Sequence, residues 1–157
     1  MFVIANGELV GNGKIKINDI EIEVTRDEKY IWNKCTEKET LEKIQMTMSN
    51  TKGIFNGLYD RNKFYEIVES LVSKKLIFMA DNKTEMYSYI KTIGIKKTAV
   101  PGLGIYNRRV YLPNGSIVQL TKDEYLYYRD LDVDNLTEND YEKIFQISKE
   151  KIIVFTW

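Results

Sequence analysis

The sequence predicts an α+β chain of tandem winged-helix-like modules, each a β-hairpin followed by helices and a closing strand or strands. Three observations carry that prediction. The phrase Val24-Thr25-Arg26-Asp27-Glu28 returns as Leu120-Thr121-Lys122-Asp123-Glu124, each time after an alternating, strand-like segment. Thr36-Glu37-Lys38-Glu39-Thr40-Leu41-Glu42-Lys43-Ile44 is echoed, with one residue deleted, by Thr137-Glu138-Asn139-Asp140-Tyr141-Glu142-Lys143-Ile144. Gly94 and Pro101-Gly102-Leu103-Gly104 punctuate the stretch between the two halves. The expected division is a module over 1–93, a linker or rigid turn over 94–104, and an abbreviated related module over 105–157 packed on the first.

Gly7, Gly11 and Gly13 break up a first short strand region. Lys14-Ile15-Lys16-Ile17 and Ile20-Glu21-Ile22-Glu23-Val24 then alternate around Asn18-Asp19, the pattern of a hairpin with one buried face. Thr25 and Glu28 have the spacing of a capping box, in which the hydroxyl accepts an early helix amide and the carboxylate answers the Thr amide. The helix that begins there offers Tyr30, Ile31, Trp32 and Cys35 to the interior. Thr36 with Glu39 predicts the start of a second helix carrying Leu41, Ile44 and Met48 inward.

Turn formers through 49–53 and at Asn56-Gly57 interrupt the chain. Asp60 caps a predicted third helix, with Phe64, Ile67, Val68, Leu71 and Val72 at helical spacing and Lys74-Lys75 at its dipole-favourable end. Leu76–Met79 reads as a strand, 81–83 as a turn, and Glu85–Ile90 as a returning strand. Hairpin, three helices and a second hairpin make the order of a winged helix-turn-helix.

The second half restarts with a strand over Ile105–Tyr111, a Pro113-Asn114-Gly115 turn and a strand over Ser116–Leu120. Asn-Gly between alternating segments is a strong hairpin signal, because both residues tolerate positive φ. Thr121 and Glu124 repeat the capping box, with Tyr125, Leu126, Tyr128 and Leu131 supplying apolar surface. Thr137 and Asp140 start another helix with Tyr141, Ile144 and Phe145 inward, and Lys151–Trp157 closes as an apolar strand.

The chain has 157 residues, 43% of them hydrophobic, with 23 basic and 23 acidic side chains. That is a folded composition, not a disordered one. No segment approaches a membrane span and Met1-Phe2-Val3-Ile4-Ala5 lacks the features of a signal peptide, so the expected location is cytoplasmic. One cysteine, Cys35, cannot form an intrachain disulfide and agrees with a reducing compartment. The neutral total conceals bias: between Met86 and Lys122 the charges are all basic, whereas 123–142 is strongly acidic. The two blocks are expected to neutralise one another within the fold or between copies.

The sequence contains no histidine, which removes the commonest general base and metal ligand. Cys35 has no neighbour that would make it a nucleophile. The run Asp130-Leu131-Asp132-Val133-Asp134-Asn135 could converge on a cation but lacks the glycine and terminal glutamate of a calcium loop. Gly102 and Gly104 are too few for a phosphate cradle. The expectation is therefore a non-enzymatic chain with no catalytic residues, no cofactor and no metal.

Two functional readings follow. As a winged helix-turn-helix, the chain would be a DNA-binding transcriptional regulator, with Lys91, Lys96, Lys97, Arg108 and Arg109 on the phosphates. Against it, Glu66 and Glu69 lie on the face of the third helix that would meet DNA. The favoured reading is a protein- or peptide-interaction adaptor or regulator. Eleven tyrosines and two tryptophans provide amphipathic contact area. Tyr87, Tyr89, Tyr106, Tyr111 and Tyr127-Tyr128 lie in or beside predicted strands. Edges at Phe2–Ile4 or Ile152–Phe155 could accept a partner strand, and exposed strands could also support a homodimer.

With its strands, three helices and two-strand wing, the segment Gly13–Ala80 resembles the PqqD-like winged-helix peptide-recognition domains. The resemblance implies a peptide added to the edge of the N-terminal hairpin beside the third helix. It places the groove between Ile20–Val24 and the 60–75 helix, with Ile20 and Ile22 on the strand and Phe64, Tyr65, Val68 and Leu71 near the wall.

Overall fold

The computed structural model describes residues 2–11, 13–37, 40–50, 61–102, 108–148 and 152–155. Helices and small antiparallel sheets alternate along the chain, an α+β architecture. Two compact units form: one runs from 1 to 93 and includes Phe155, and the other spans 94–154.

In the first unit, β1 (Phe2–Ala5) pairs antiparallel with β5 (Ile77–Ala80), Phe2 opposite Ala80 and Ala5 opposite Ile77. Val3, Ile4 and Ala5 are all buried, as a continuous apolar run requires of a strand covered on both faces. The chain turns at Gly7, where φ is +83° and a Cβ would lie 2.7 Å from the Lys16 carbonyl oxygen. Only glycine fits that approach without displacing backbone. β2 (Glu8–Val10), β3 (Lys14–Ile17) and β4 (Ile20–Glu23) follow as a sheet in the order β2-β3-β4. Ile15 and Ile17 point into the core, and Asn18 takes φ 55° in the connecting turn.

Thr25 closes the capping box at the start of α1 (Arg26–Thr36): its Oγ1 accepts from the Glu28 N–H at 3.2 Å, and its own N–H donates to Glu28 Oε1 at 3.1 Å. Ile31, Trp32 and Cys35 are buried, the face that the sequence assigned to the interior. The second helix begins later than expected. Thr36 ends α1 by donating its hydroxyl to the Asn33 carbonyl, and Thr40 accepts the Lys43 N–H at the start of α2 (Leu41–Asn50). Leu41, Ile44 and Met48 are buried as expected.

The proposed cap Asp60 lies outside the described residues. α3 (Arg61–Ser73) buries Phe64, Val68 and Leu71, whereas Val72, expected inward, is exposed. The helix ends in a Schellman motif: Lys75 sits at φ 60°, its N–H donates to the Val72 carbonyl, and the Leu76 N–H reaches back to Leu71.

The largest departure from expectation follows β5. Residues 83–93 form α4 (Lys83–Ile93), not the returning strand predicted over Glu85–Ile90, so the expected wing is a helix. Met86, Ile90 and Ile93 recur at helical spacing and are buried. Asn82 supplies the cap, its Oδ1 accepting from the Glu85 N–H at 2.9 Å, while Glu85 accepts the Asp81 N–H at 2.8 Å. The Tyr89 ring stacks on Phe78, centroids 3.7 Å apart.

In the second unit, the stretch expected as a linker contributes β6 (Ile95–Lys97) and β7 (Val100–Pro101). β6 pairs with β10 (Ile153–Phe155), and β7, β8 (Arg109–Tyr111) and β9 (Ile117–Gln119) form an antiparallel sheet in that order. Gly115 takes φ 86° in the Asn-Gly turn. α5 (Lys122–Asp130) starts on a capping box with nearly the geometry of the first: Glu124 N–H to Thr121 Oγ1 3.2 Å, Thr121 N–H to Glu124 Oε1 3.0 Å. The Tyr125 hydroxyl donates to the Gly102 carbonyl at 2.6 Å. The buried Tyr128 hydroxyl accepts the Ala99 N–H at 3.0 Å and lies 2.7 Å from the Ala99 carbonyl oxygen. α6 (Glu138–Ile147) buries Tyr141, Ile144 and Ile147, with Phe145 half-buried. At its start the Asp140 carboxylate accepts both the Thr137 N–H and hydroxyl.

Candidate functional site

The β2-β3-β4 sheet carries a charge ladder on its outer face. Glu8 stands opposite Lys16, which stands opposite Glu21, and Lys14 stands opposite Glu23. Opposite charges across strands stabilise such a face. Lys14 Nζ also approaches the Glu21 carboxylate diagonally at 3.6 Å. The inner face runs Leu9, Ile15, Ile22 in one row and Ile17, Ile20 in the next. Ile15 is fully buried and Ile22 packs partly against the core, but Ile20, at the sheet margin, is 67% exposed.

β4 is a margin of this sheet, and among the described residues no strand pairs with its far side. Which of its backbone groups face outward follows from the ladder. The Val24 N–H donates to the Gly13 carbonyl, so Val24 turns its peptide groups towards β3. Alternation by two assigns Ile22 and Ile20 the same direction and turns the N–H and C=O groups of Glu21 and Glu23 away from β3. The Glu23 carbonyl bears this out, since it accepts from Lys74 Nζ at 3.2 Å.

Lys74 is held there by a buried carboxylate. Glu28 is only 4% exposed, and its two oxygens accept from Lys74 Nζ at 3.0 and 2.9 Å. The Ser70 hydroxyl donates to the same group at 3.1 Å. The end of α3 is thereby fixed beside the end of β4. Burial alone would raise the Glu28 pKa, but Lys74, the Thr25 amide and Ser70 outweigh it and hold the carboxyl below its ordinary range.

The residues expected to line the groove are placed differently from one another. Ile20 and Ile22 lie on the margin strand, as above. Phe64, Val68 and Leu71 are taken up in the core and present no groove wall, a correction to the expected site. Tyr65 is half-buried, edge-on to Phe64 at 5.2 Å, with the Arg61 guanidinium 5.8 Å from its ring centre. The other proposed edges are each paired on one side, Phe2–Ile4 with β5 and 153–155 with β6, and Val3, Ile4, Ile153 and Phe155 are buried, unlike the exposed Ile20 of β4.

The basic residues singled out in the sequence fall in different settings. Lys91 lies exposed on α4 of the first unit. In the second unit, Lys96 and Arg109 are exposed. Lys97 instead donates to the carbonyls of Arg129 and Leu131 at the end of α5 and lies 4.9 Å from the Tyr128 ring centre. Burial pulls its pKa down against the attraction of Asp130 and Asp132, so here basic and acidic blocks do meet within one unit. Arg108 is half-buried, with φ 50° and a buried Nε.

The acidic run after α5 is a turn. Asp132 accepts from the Asp134 N–H at 3.0 Å and from Asn135 Nδ2 at 2.7 Å. Among the described residues no three acidic or cysteine side chains come together as a metal-binding group. Cys35 is fully buried in the core. Of the tyrosines expected at strands, Tyr87 and Tyr89 lie on α4, Tyr127 and Tyr128 on α5, Tyr111 is exposed on β8, and Tyr106 lies outside the described residues. Among the described residues no helix is long and apolar enough to cross a membrane.

Sequence reasoning missed Asn6. It is fully buried, its carbonyl accepts the Trp32 indole N–H at 2.9 Å, and its Nδ2 donates to the Lys75 carbonyl and the Tyr89 hydroxyl. No local pattern announces such a residue, because its partners are 26, 69 and 83 positions away. Comparison of the chain with protein-family models, curated proteins and solved structures gives no match.

Proposed function

We propose that this chain is a protein- or peptide-interaction module in which the first unit captures an extended segment along the outer margin of β4. The observation that carries this reading is the set of outward backbone groups: the Glu21 N–H and C=O and the Glu23 N–H face away from β3, beside an Ile20 side chain that its own sheet leaves uncovered. An unpaired strand margin is a template for a further strand: main-chain hydrogen bonds give affinity and alternate side chains give specificity. Lys74 sets the end of the template by occupying the Glu23 carbonyl.

The test is selection of displayed random peptides on the wild-type chain, followed by measurement of each selected peptide on Glu21→Pro. Proline at position 21 removes an outward N–H and leaves the β3–β4 hydrogen bonds in place, so the sheet tolerates it while the margin is blocked. Loss of binding with an unchanged circular dichroism spectrum is the expected result. Selected peptides indifferent to Glu21→Pro would place recognition elsewhere.

A further inference from the structure

Resting on that reading of the β4 margin, we infer that its ligand is an extended segment in which basic and apolar residues alternate. The sheet supplies the rule. Across its outer face the charges run Glu8, Lys16, Glu21, changing sign at every strand, and Glu23 stands beside Lys14 in the neighbouring row. The side of β4 already paired shows what this strand accepts: Lys14-Ile15-Lys16-Ile17, a lysine opposite each glutamate and an isoleucine opposite each isoleucine. The far side of β4 presents the same four side chains. A strand added there meets Glu21 and Glu23 on the outer face, where cations complete the ladder and carboxylates would repel. On the inner face it meets Ile22 and the exposed Ile20, where apolar side chains extend the buried row.

Both glutamates retain room for a second cation. The Glu21 side chain is 53% exposed despite its approach to Lys14. Glu23 is exposed, and the Lys74 ammonium on the α3 side is committed to Glu28 and to the Glu23 carbonyl. The ligand's pattern is therefore short, covering Ile20 to Glu23.

Fluorescence anisotropy with three labelled peptides tests the inference: one with a Lys-Ile-Lys-Ile core, one with Glu-Ile-Glu-Ile, and a block isomer with Lys-Lys-Ile-Ile. The alternating basic peptide is expected to bind roughly tenfold more tightly than the acidic one, the sum of two cross-strand charge pairs. The preference should narrow as salt is raised. The block isomer should bind more weakly than the alternating peptide, and Glu21→Lys combined with Glu23→Lys should invert the charge preference. Should that double variant fold poorly by its melting curve, Glu21→Gln with Glu23→Gln should abolish the preference without reversing it.

Equal or tighter binding of the acidic peptide, abolished by Glu21→Pro, would overturn the charge rule and leave the strand-margin reading standing. Absence of any binding sensitive to Glu21→Pro, with all three peptides and with peptides selected from the random library, would overturn both.

Discussion

Glu28 serves three partners at once: it completes the cap of α1, accepts the Ser70 hydroxyl and pairs with Lys74. Its folded-state pKa is depressed, so the stability it contributes is complete above the unfolded value of about 4.3. That contribution is lost as pH falls through the lower folded-state value. Glu28→Gln preserves a capping side chain but removes the charge. The variant is expected to lose about 1–3 kcal/mol at neutral pH. Denaturant titrations at a series of pH values should show its deficit shrinking below about pH 4. Lys75 makes the opposite prediction. A side chain at φ 60° pays a steric cost that glycine does not, and Lys75 is exposed, so Lys75→Gly is expected to stabilise the chain by roughly 0.5–1 kcal/mol. A lower denaturation midpoint for that variant would contradict the Schellman assignment.

At the scale of elements, the two Thr-x-x-Glu boxes are equivalent devices in different surroundings. Thr25→Ala and Thr121→Ala should each cost about 1 kcal/mol in denaturant unfolding, with serine restoring most of it. Boxes of this kind were legible in the sequence because donor and acceptor lie three residues apart, and so were the hairpins flanking them. α4 was misread because Tyr87 and Tyr89 alternate as in a strand while Met86, Ile90 and Ile93 keep helical spacing; Asn82 three residues before Glu85 was the deciding signal. Phe64, Val68 and Leu71 were correctly read as one apolar stripe. Periodicity does not say whether a stripe is covered by the chain's own core or by a partner, and here the core covers it. For the same reason, local pattern placed Ile20 and Ile22 on a strand and only the family resemblance put that strand at an edge; the pairing of β2 with β3 is what leaves β4 at the margin.

At the scale of the whole molecule, the chain returns to its first unit at the end. The Gly7 N–H donates to the Phe155 carbonyl at 2.7 Å, Asn6 and Phe155 form a parallel bridge, and Phe155 is buried. Phe155→Ala is therefore expected to destabilise the first unit by about 3–5 kcal/mol, followed through the Trp32 indole N–H resonance during denaturation. An unchanged Trp32 transition would argue against that closure.

On the proposed reading, β4 offers its outward groups to a partner strand. Residue-resolved hydrogen exchange, with and without the Lys-Ile-Lys-Ile peptide, tests it most directly. The Glu21 and Glu23 amides are expected to exchange quickly in the free chain and to become protected on binding, while those of Ile20 and Ile22, already turned towards β3, change little. Protection confined to other segments, or Glu21 and Glu23 amides that exchange equally fast in the saturated complex, would contradict it.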